Sequence, residues 1–263
     1  MSQQTQIPTV LPRPELTDAS YFDLAAARAA LAERRPLAFP PFELVHWAGL
    51  NFALNFENDP IQNALRQGKF YEERELTALK RMLPLDATYV DIGANIGNHA
   101  VFFAKRMRAA RVIAFEPNPL ALAPLMANIV LNRLEHVIVT DHLGLGLSDR
   151  AGSGFGMGRH DRNLGATELR ADSGEITVET GDRLLADETP DLIKLDVEGM
   201  EMKVLAGLEA TIARTRPLML VEVTDTNSAA FGHWCLVRGY NLLDEWRVGP
   251  RNANYLIEPE ERR

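Results

Sequence analysis

The chain has 263 residues, of which 46% are hydrophobic and 24% charged, values typical of a globular protein. Its 28 basic and 36 acidic residues give a net charge of −8, which argues against a general nucleic-acid binder because phosphate backbones would be repelled. A single cysteine excludes an intrachain disulfide and a cysteine-based zinc site. No apolar run approaches the ~20 residues that span a bilayer and no secretory signal is visible, so we expect a cytoplasmic protein without a transmembrane segment.

The first 83 residues predict an accessory layer. Residues 1–18 contain three prolines and little periodicity, which predicts a flexible arm. An alanine-rich stretch over 19–35 predicts a helix, and partial alternation over 42–56 predicts a hairpin. Leucines on one face predict a second helix over 72–82. We therefore expect residues 19–83 to form helices and a hairpin that accompany a main domain over 84–263.

In the main domain, short apolar strands alternate with amphipathic helices. We predict successive strands at 89–92, 111–115, 137–140, 192–195 and 218–223, with closing strands near 240–243 and 254–257. This alternation predicts an α/β fold with a doubly wound, mostly parallel sheet that ends in an antiparallel hairpin. A polar, glycine-rich insertion at about 150–180 predicts a lid over a substrate.

Polar or acidic residues follow four of the predicted strands. In open α/β sheets, ligands bind beyond the carboxyl ends of the strands, where the strand order reverses. We therefore expect one ligand site to include Asp91 with the glycine loop at 93–97, Glu116, Ser148 with Asp149, and Asp196 with Glu198.

The glycine loop argues against a dinucleotide. Asn95 and Asn98 stand where the pattern G-x-G-x-x-G has glycines that let a pyrophosphate approach. Glu116 can accept hydrogen bonds from both hydroxyls of a ribose, and Asp91 can bind an ammonium group. A ribose and an ammonium without a phosphate describe S-adenosyl-L-methionine. The alternative is a purely structural role, in which the glycines form a tight strand-to-helix turn and Glu116 is only a helix-start residue.

Five segments resemble, in order, the motifs of the FkbM-type S-adenosylmethionine-dependent methyltransferases. They are YVDIGANIGNH at 89–99, VIAFEPNP at 112–119, LGLSD at 145–149, NLGAT at 163–167 and IKLDVEG at 193–199. The resemblance implies a class I methyltransferase-like fold and, usually, O-methylation of hydroxyls on sugars or natural products. By position it assigns Asp91, Gly93, Asn95 and Gly97 to the methionine side, Glu116 to the ribose, and Asn118, Ser148 and Asp149 to the adenine side. Ala94, Asn98, Pro117 and Asp196 complete the expected cofactor set.

Methyl transfer to a hydroxyl needs a general base or a metal, because a hydroxyl is a poor nucleophile. Asp196 and Glu198 follow the fourth strand at alternate positions, so both can face one pocket, and Asp196 is the preferred base. Their alternative roles are helix capping and a first-turn acid. His160 in the insertion could also be the base, although a loop histidine is often only solvated.

The same two carboxylates could bind a divalent metal, but no third ligand is evident among Glu222, Asp225 and Asp161, so metal use is possible and not predicted. We expect Asn163, Glu222 and Tyr71 to contact the substrate. Glu222 ends a buried strand and needs a partner.

The leading hypothesis is an O-methyltransferase for a small hydroxylated substrate such as a sugar, a glycolipid precursor or a natural product. The sequence after Asp196 is not the Asn/Asp-Pro-Pro-aromatic pattern of base and amide N-methylases, which argues further against nucleic acid. The alternatives are a nucleotide-cofactor oxidoreductase on a similar sheet and a non-catalytic cofactor-binding protein.

Overall fold

The computed structural model describes residues 21–158 and 167–262. The whole of the predicted arm over 1–18, together with His160, Asp161 and Asn163, lies outside the described residues. None of the helices in the described ranges has the length and apolar character that are needed to cross a bilayer.

The N-terminal layer contains three helices and one hairpin. The helices and the hairpin predicted over 19–35, 42–56 and 72–82 are present, and a further short helix lies between them. Asp59 caps that helix by accepting a hydrogen bond from Gln62 N, with Pro60 in its first turn. The elements are α1 (Leu24–Ala32), β1 (Glu43–Trp47), β2 (Leu50–Leu54), α2 (Pro60–Arg66) and α3 (Glu73–Met82).

A seven-stranded sheet forms the centre of the main domain. Its strands are β3 (Thr88–Ile92), β4 (Arg111–Phe115), β5 (Ile138–Val139), β10 (Leu192–Leu195), β11 (Leu218–Thr224), β12 (Tyr240–Arg247) and β13 (Asn252–Pro259). The order is β12-β13-β11-β10-β3-β4-β5. Within this sheet the antiparallel pairs are β12–β13 and β13–β11, and the other described pairs are parallel. The predicted fold class is confirmed. The third strand is shorter and the closing strands are longer than the sequence predicted.

Helices connect the strands, and a second, smaller sheet lies in the predicted insertion. The helices are α4 (Asn98–Arg106), α5 (Pro119–Leu131), α6 (Gly181–Leu184), α7 (Glu201–Gly207), α8 (Glu209–Thr215) and α9 (Ser228–Arg238). The small sheet has the order β6-β9-β7-β8 and contains β6 (Leu145–Leu147), β7 (Gly152–Met157), β8 (Leu169–Arg170) and β9 (Ile176–Glu179).

The central sheet buries an apolar cluster on each face. Because side chains alternate along a strand, Tyr89 and Leu192 belong to one cluster, whereas Val90 and Ile193 belong to the other. Side chains of α1, the β1–β2 hairpin and α3 join the first cluster, so the N-terminal layer packs on that face. Burial of such large apolar side chains stabilises the fold by about 1.5–3 kcal/mol each.

Candidate active site

The strand order reverses between β3 and β10, and the two strands come very close at their carboxyl ends. A Cβ at Gly93 would lie 1.8 Å from the carbonyl oxygen of Asp196, and Gly93 has a positive φ of 78°. Only glycine is compatible with both conditions. Gly93 therefore brings the glycine loop against the residues that follow β10.

A cavity opens at this reversal, the position at which open α/β sheets bind their ligands. Six of its lining residues belong to the sequence-predicted site, namely Gly93, Asn95, Glu116, Pro117, Asp196 and Glu198. The lining consists of Ile92, Gly93, Asn95, Phe115, Glu116, Pro117, Leu145, Gly146, Leu147, Met157, Thr167, Leu169, Asp196, Val197, Glu198 and Met200.

Glu116 is held rigidly in the wall of this cavity. Asn95 N donates to its Oε2 and Asn118 N donates to its Oε1, both at 2.7 Å. Burial raises the pKa of Glu116 to about 7, while these two N–H groups partly offset the effect. Each carboxylate oxygen can accept a further hydrogen bond, so the side chain can receive two hydroxyl groups.

The other loop residues support the wall from behind. Asn95 adopts a left-handed φ of 48°, which asparagine tolerates, and Gly97 begins α4. The Asn98 amide accepts from Tyr71 N at 3.0 Å and donates to Tyr71 O at 3.2 Å. Asn118 caps α5 and donates to Thr167 Oγ1 at 3.1 Å. Ala94, Gly97, Asn98 and Asn118 lie outside the lining, and Asn118 contacts two residues within it, Glu116 and Thr167.

The end of the cavity beside β6 is apolar. Ser148 Oγ donates to Asp149 Oδ1 at 3.0 Å, and neither residue lines the cavity. Leu145 and Leu147 line it instead, opposite Leu169 and near the other apolar residues Pro117 and Met157. We call this apolar part of the cavity the apolar slot, and it suits a flat heterocycle. Ser148 and Asp149, which the sequence assigned to the adenine side, lie just beyond it.

Asp91 is fully buried and has a partner that the sequence analysis missed. The Lys194 ammonium lies 3.3 Å from Asp91 Oδ1 and 3.5 Å from Asp196 Oδ2, and it donates to Gly93 O at 2.8 Å. Neither Asp91 oxygen accepts a hydrogen bond of good geometry from a described residue. Burial lowers the pKa of Lys194, but the two carboxylates outweigh it and the net shift is upward. The sequence does contain a signal for this partner, because Lys194 lies within the apolar strand at 192–195 and a buried lysine is almost always paired.

Three carboxyl groups meet near the carboxyl ends of β10 and β11, and we call Asp196, Glu198 and Glu222 the carboxyl cluster. One oxygen of each lies within 4.8 Å of the others. Burial, followed by mutual repulsion, raises the pKa of Glu198 to about 8 and that of Glu222 to about 9, and burial also raises that of Asp196. Protons or a hard cation can compensate groups at this separation. Asp225 instead pairs with Arg247 at the surface.

The N-terminal layer comes near the carboxyl cluster at Glu72, the residue that precedes α3. Glu72 has a left-handed φ of 56°, its Oε2 lies 3.0 Å from His99 Nε2, and its Oε1 accepts from Asn254 at 2.8 Å. Asn254 is the cross-strand neighbour of Glu222. Burial raises the pKa of Glu72, but its contacts with His99 and Asn254 produce a net lowering. Tyr71 precedes Glu72, and its burial together with the nearby carboxylates raises the pKa of Tyr71.

The model of the methyltransferase FkbM domain family matches residues 91–257, more than half of the chain. The chain belongs to this family. The membership that the five motifs predicted is therefore confirmed. The FkbM match contains Glu116, Lys194 and the carboxyl cluster, whereas Tyr71 and Glu72 precede it.

Three relatives illustrate the similarity. AMB antimetabolite synthetase AmbE of Pseudomonas aeruginosa is 29% identical over 193 residues, 57% of this chain and 9% of that protein. Hexuronic acid methyltransferase AglP of Haloferax volcanii is 33% identical over 126 residues, 45% of this chain and 48% of AglP. 2-O-methyltransferase NoeI of Sinorhizobium fredii is 33% identical over 150 residues, 50% of this chain and 61% of NoeI. The chain thus spans less than two thirds of each of these FkbM-like relatives.

Proposed function

We propose that this protein is an S-adenosylmethionine-dependent methyltransferase that methylates a hydroxyl group. The observation that carries the proposal is the charge of the cavity. Among its described lining residues, the charged ones are Glu116, Asp196 and Glu198, and none is basic. A dinucleotide brings phosphates that need hydrogen-bond donors or positive charge, whereas a sulfonium and an ammonium are favoured by carboxylates.

The residues at the cavity match the parts of this cofactor. Glu116 would accept hydrogen bonds from the ribose hydroxyls, and the slot between Leu145 and Leu169 would hold the adenine. Gly93, Asn95 and Asp196 would border the amino-acid end. Asp91 would act there through Lys194, because its own carboxylate is fully buried. When bound, S-adenosylmethionine supplies an activated methyl group.

The carboxyl cluster would bind and deprotonate the acceptor. With the cofactor bound, Asp196 or Glu198 would accept the proton of the acceptor hydroxyl as the oxygen–methyl bond forms and the methyl–sulfur bond breaks, so the proton would stay on the carboxylate and the bonding electron pair on the sulfur of the leaving thioether. Carboxyl groups with a raised pKa are stronger bases once ionised, which suits them to this step. A nearby sulfonium favours the ionised form of the cluster. In the insertion, His160 remains a predicted alternative base and Asn163 a predicted substrate contact, and a divalent metal remains possible and is not predicted.

The acceptor class follows from the relatives and the charge. AglP and NoeI are named for methylation of a hexuronic acid and for 2-O-methylation. We therefore propose a sugar, a glycolipid precursor or a similar hydroxylated natural product as the acceptor. The net charge of −8 and the acidic cavity disfavour a nucleic-acid acceptor.

Transfer of a labelled methyl group tests this proposal. The purified protein is incubated with methyl-labelled S-adenosylmethionine and a panel of methyl glycosides, uronic acids, short RNAs and proteins. We expect label in a sugar ether that resists mild base, unlike an ester. Label in RNA or protein alone would contradict the proposed acceptor. Reduction of a nicotinamide dinucleotide by the protein would support the oxidoreductase instead.

A further inference from the structure

The loop over residues 140–144 carries one wall of the cavity. Leu143 forms a parallel bridge with Glu116, and Gly144 N donates to Glu116 O at 2.8 Å. The next residue, Leu145, begins β6 and lines the cavity. A displacement of this loop would therefore move both the backbone of Glu116 and the apolar slot.

Arg28 of α1 holds this loop at two points. Its Nε donates to Thr140 O at 3.1 Å, and its Nη2 donates to the same oxygen and to Leu143 O at 2.9 Å. The guanidinium thus joins two carbonyl groups of one turn, a geometry that suits its rigid fork of donors. These contacts span 112 and 115 residues of sequence.

A second, apolar contact joins the same helix to the same loop. Gly144 has a positive φ of 79°, and a Cβ there would lie 3.1 Å from Leu24 Cδ2. Helix α1 therefore lies directly against the residue that precedes the slot. His142 of the loop also stacks on Phe115, with ring centroids 4.9 Å apart, and Phe115 lines the cavity.

We propose that Arg28 is a positioning residue for the adenosyl end of the cofactor site. The inference rests on the proposed function, and it makes α1, which precedes the FkbM match at 91–257, a working part of that site. Arg28 touches no cavity-lining side chain among the described contacts, so its effect is indirect. Without it the loop loses its hydrogen bonds to α1 and keeps the apolar contact with Leu24, while Ala27 and Ala30 still bury the helix in the core.

Calorimetric titration tests this role with two probes, S-adenosylmethionine and 5′-methylthioadenosine, which lacks the amino-acid end. Arg28→Met should weaken both affinities by the same factor, about tenfold, because charge-assisted hydrogen bonds fix the loop. Arg28→Lys should restore part of the affinity. Arg35→Met, a change at an exposed residue paired with Glu33, is the matched control and should bind both probes as the wild type does.

Gly144→Ala perturbs the same contact from the other side and should give the same loss for both probes, which covers a failure of Arg28→Met to fold. Unchanged affinities in a folded Arg28→Met protein would overturn the inference. A loss for S-adenosylmethionine with no loss for 5′-methylthioadenosine would also overturn it. Failure of the wild type to bind either probe would instead overturn the proposed function.

Discussion

The two sides of the strand reversal solve the problem of buried carboxylates differently. Beyond β4, each oxygen of Glu116 already accepts a backbone N–H, and the side chain is fixed before any ligand arrives. Near the carboxyl ends of β10 and β11, the three groups of the carboxyl cluster lie within 4.8 Å of one another. The Lys194 ammonium lies 3.5 Å from one of them, Asp196. The first side is preorganised to bind neutral hydroxyls. The second holds negative charge that protons or a cationic ligand must compensate, which suits it to chemistry.

On the second side, the largest expected effect comes from removing Lys194, the cation beside Asp91 and Asp196. Lys194→Met leaves Asp91 buried without an ammonium, and we expect the free energy of unfolding to fall by about 3–5 kcal/mol. Denaturant titration measures this loss. The double variant Asp91→Asn with Lys194→Met should recover most of it, because it also removes the fully buried charge of Asp91, whereas the Asp196 carboxylate is partly exposed. A single variant as stable as the wild type would show that the ion pair does not stabilise the fold.

Removal of the base separates chemistry from binding. Asp196→Asn should reduce turnover about 100-fold, the scale of general-base catalysis, and weaken S-adenosylmethionine binding by a smaller factor, because Asp196 also borders the proposed amino-acid end of the cofactor. Glu198→Gln should show a smaller loss of the same kind. Asp225→Asn, at a neighbouring exposed carboxylate paired with Arg247, is the control and should keep full activity. Undiminished turnover in both cluster variants would remove them as bases.

The carboxyl cluster should also make stability depend on pH. Glu198 and Glu222 have raised pKa values of about 8 and about 9 in the fold, above the ordinary glutamate value of 4.5. The folded state therefore binds more protons than the unfolded state between these limits, so stability falls as the pH rises from about 5 to about 9. Glu222→Gln should make the decrease in Tm over this range smaller. A wild-type Tm that rises with pH over this interval would contradict the cluster.

Local patterns in the sequence were sufficient for the sheet and for one side of the site. The alternation of strands and helices, the glycine loop and Glu116 lie within short segments whose periodicity or position after a strand is informative. The same reasoning located Asp196 and Glu198 beside the cavity. Helix α2 was missed although Asp59 and Pro60 provide an N-cap and a first-turn proline.

Contacts between distant segments were beyond this reasoning. Glu72 and Asn254 are 182 residues apart, and nothing in either segment indicates the other. The apolar slot depends on the pairing of β6 with β9, which directs Leu145 and Leu147 to the cavity and leaves Ser148 outside it. Periodicity gives the alternation along a strand but not the neighbour that the strand selects.

Calorimetric titration with S-adenosylmethionine and with a nicotinamide dinucleotide tests the central claim most directly, in the wild type and in Glu116→Gln. We expect the wild type to bind S-adenosylmethionine and not the dinucleotide. Glu116→Gln should bind S-adenosylmethionine about tenfold more weakly than the wild type does, because an amide replaces one acceptor oxygen with a donor. Binding of the dinucleotide alone, or equal affinity for S-adenosylmethionine in both proteins, would contradict the assignment of this cavity.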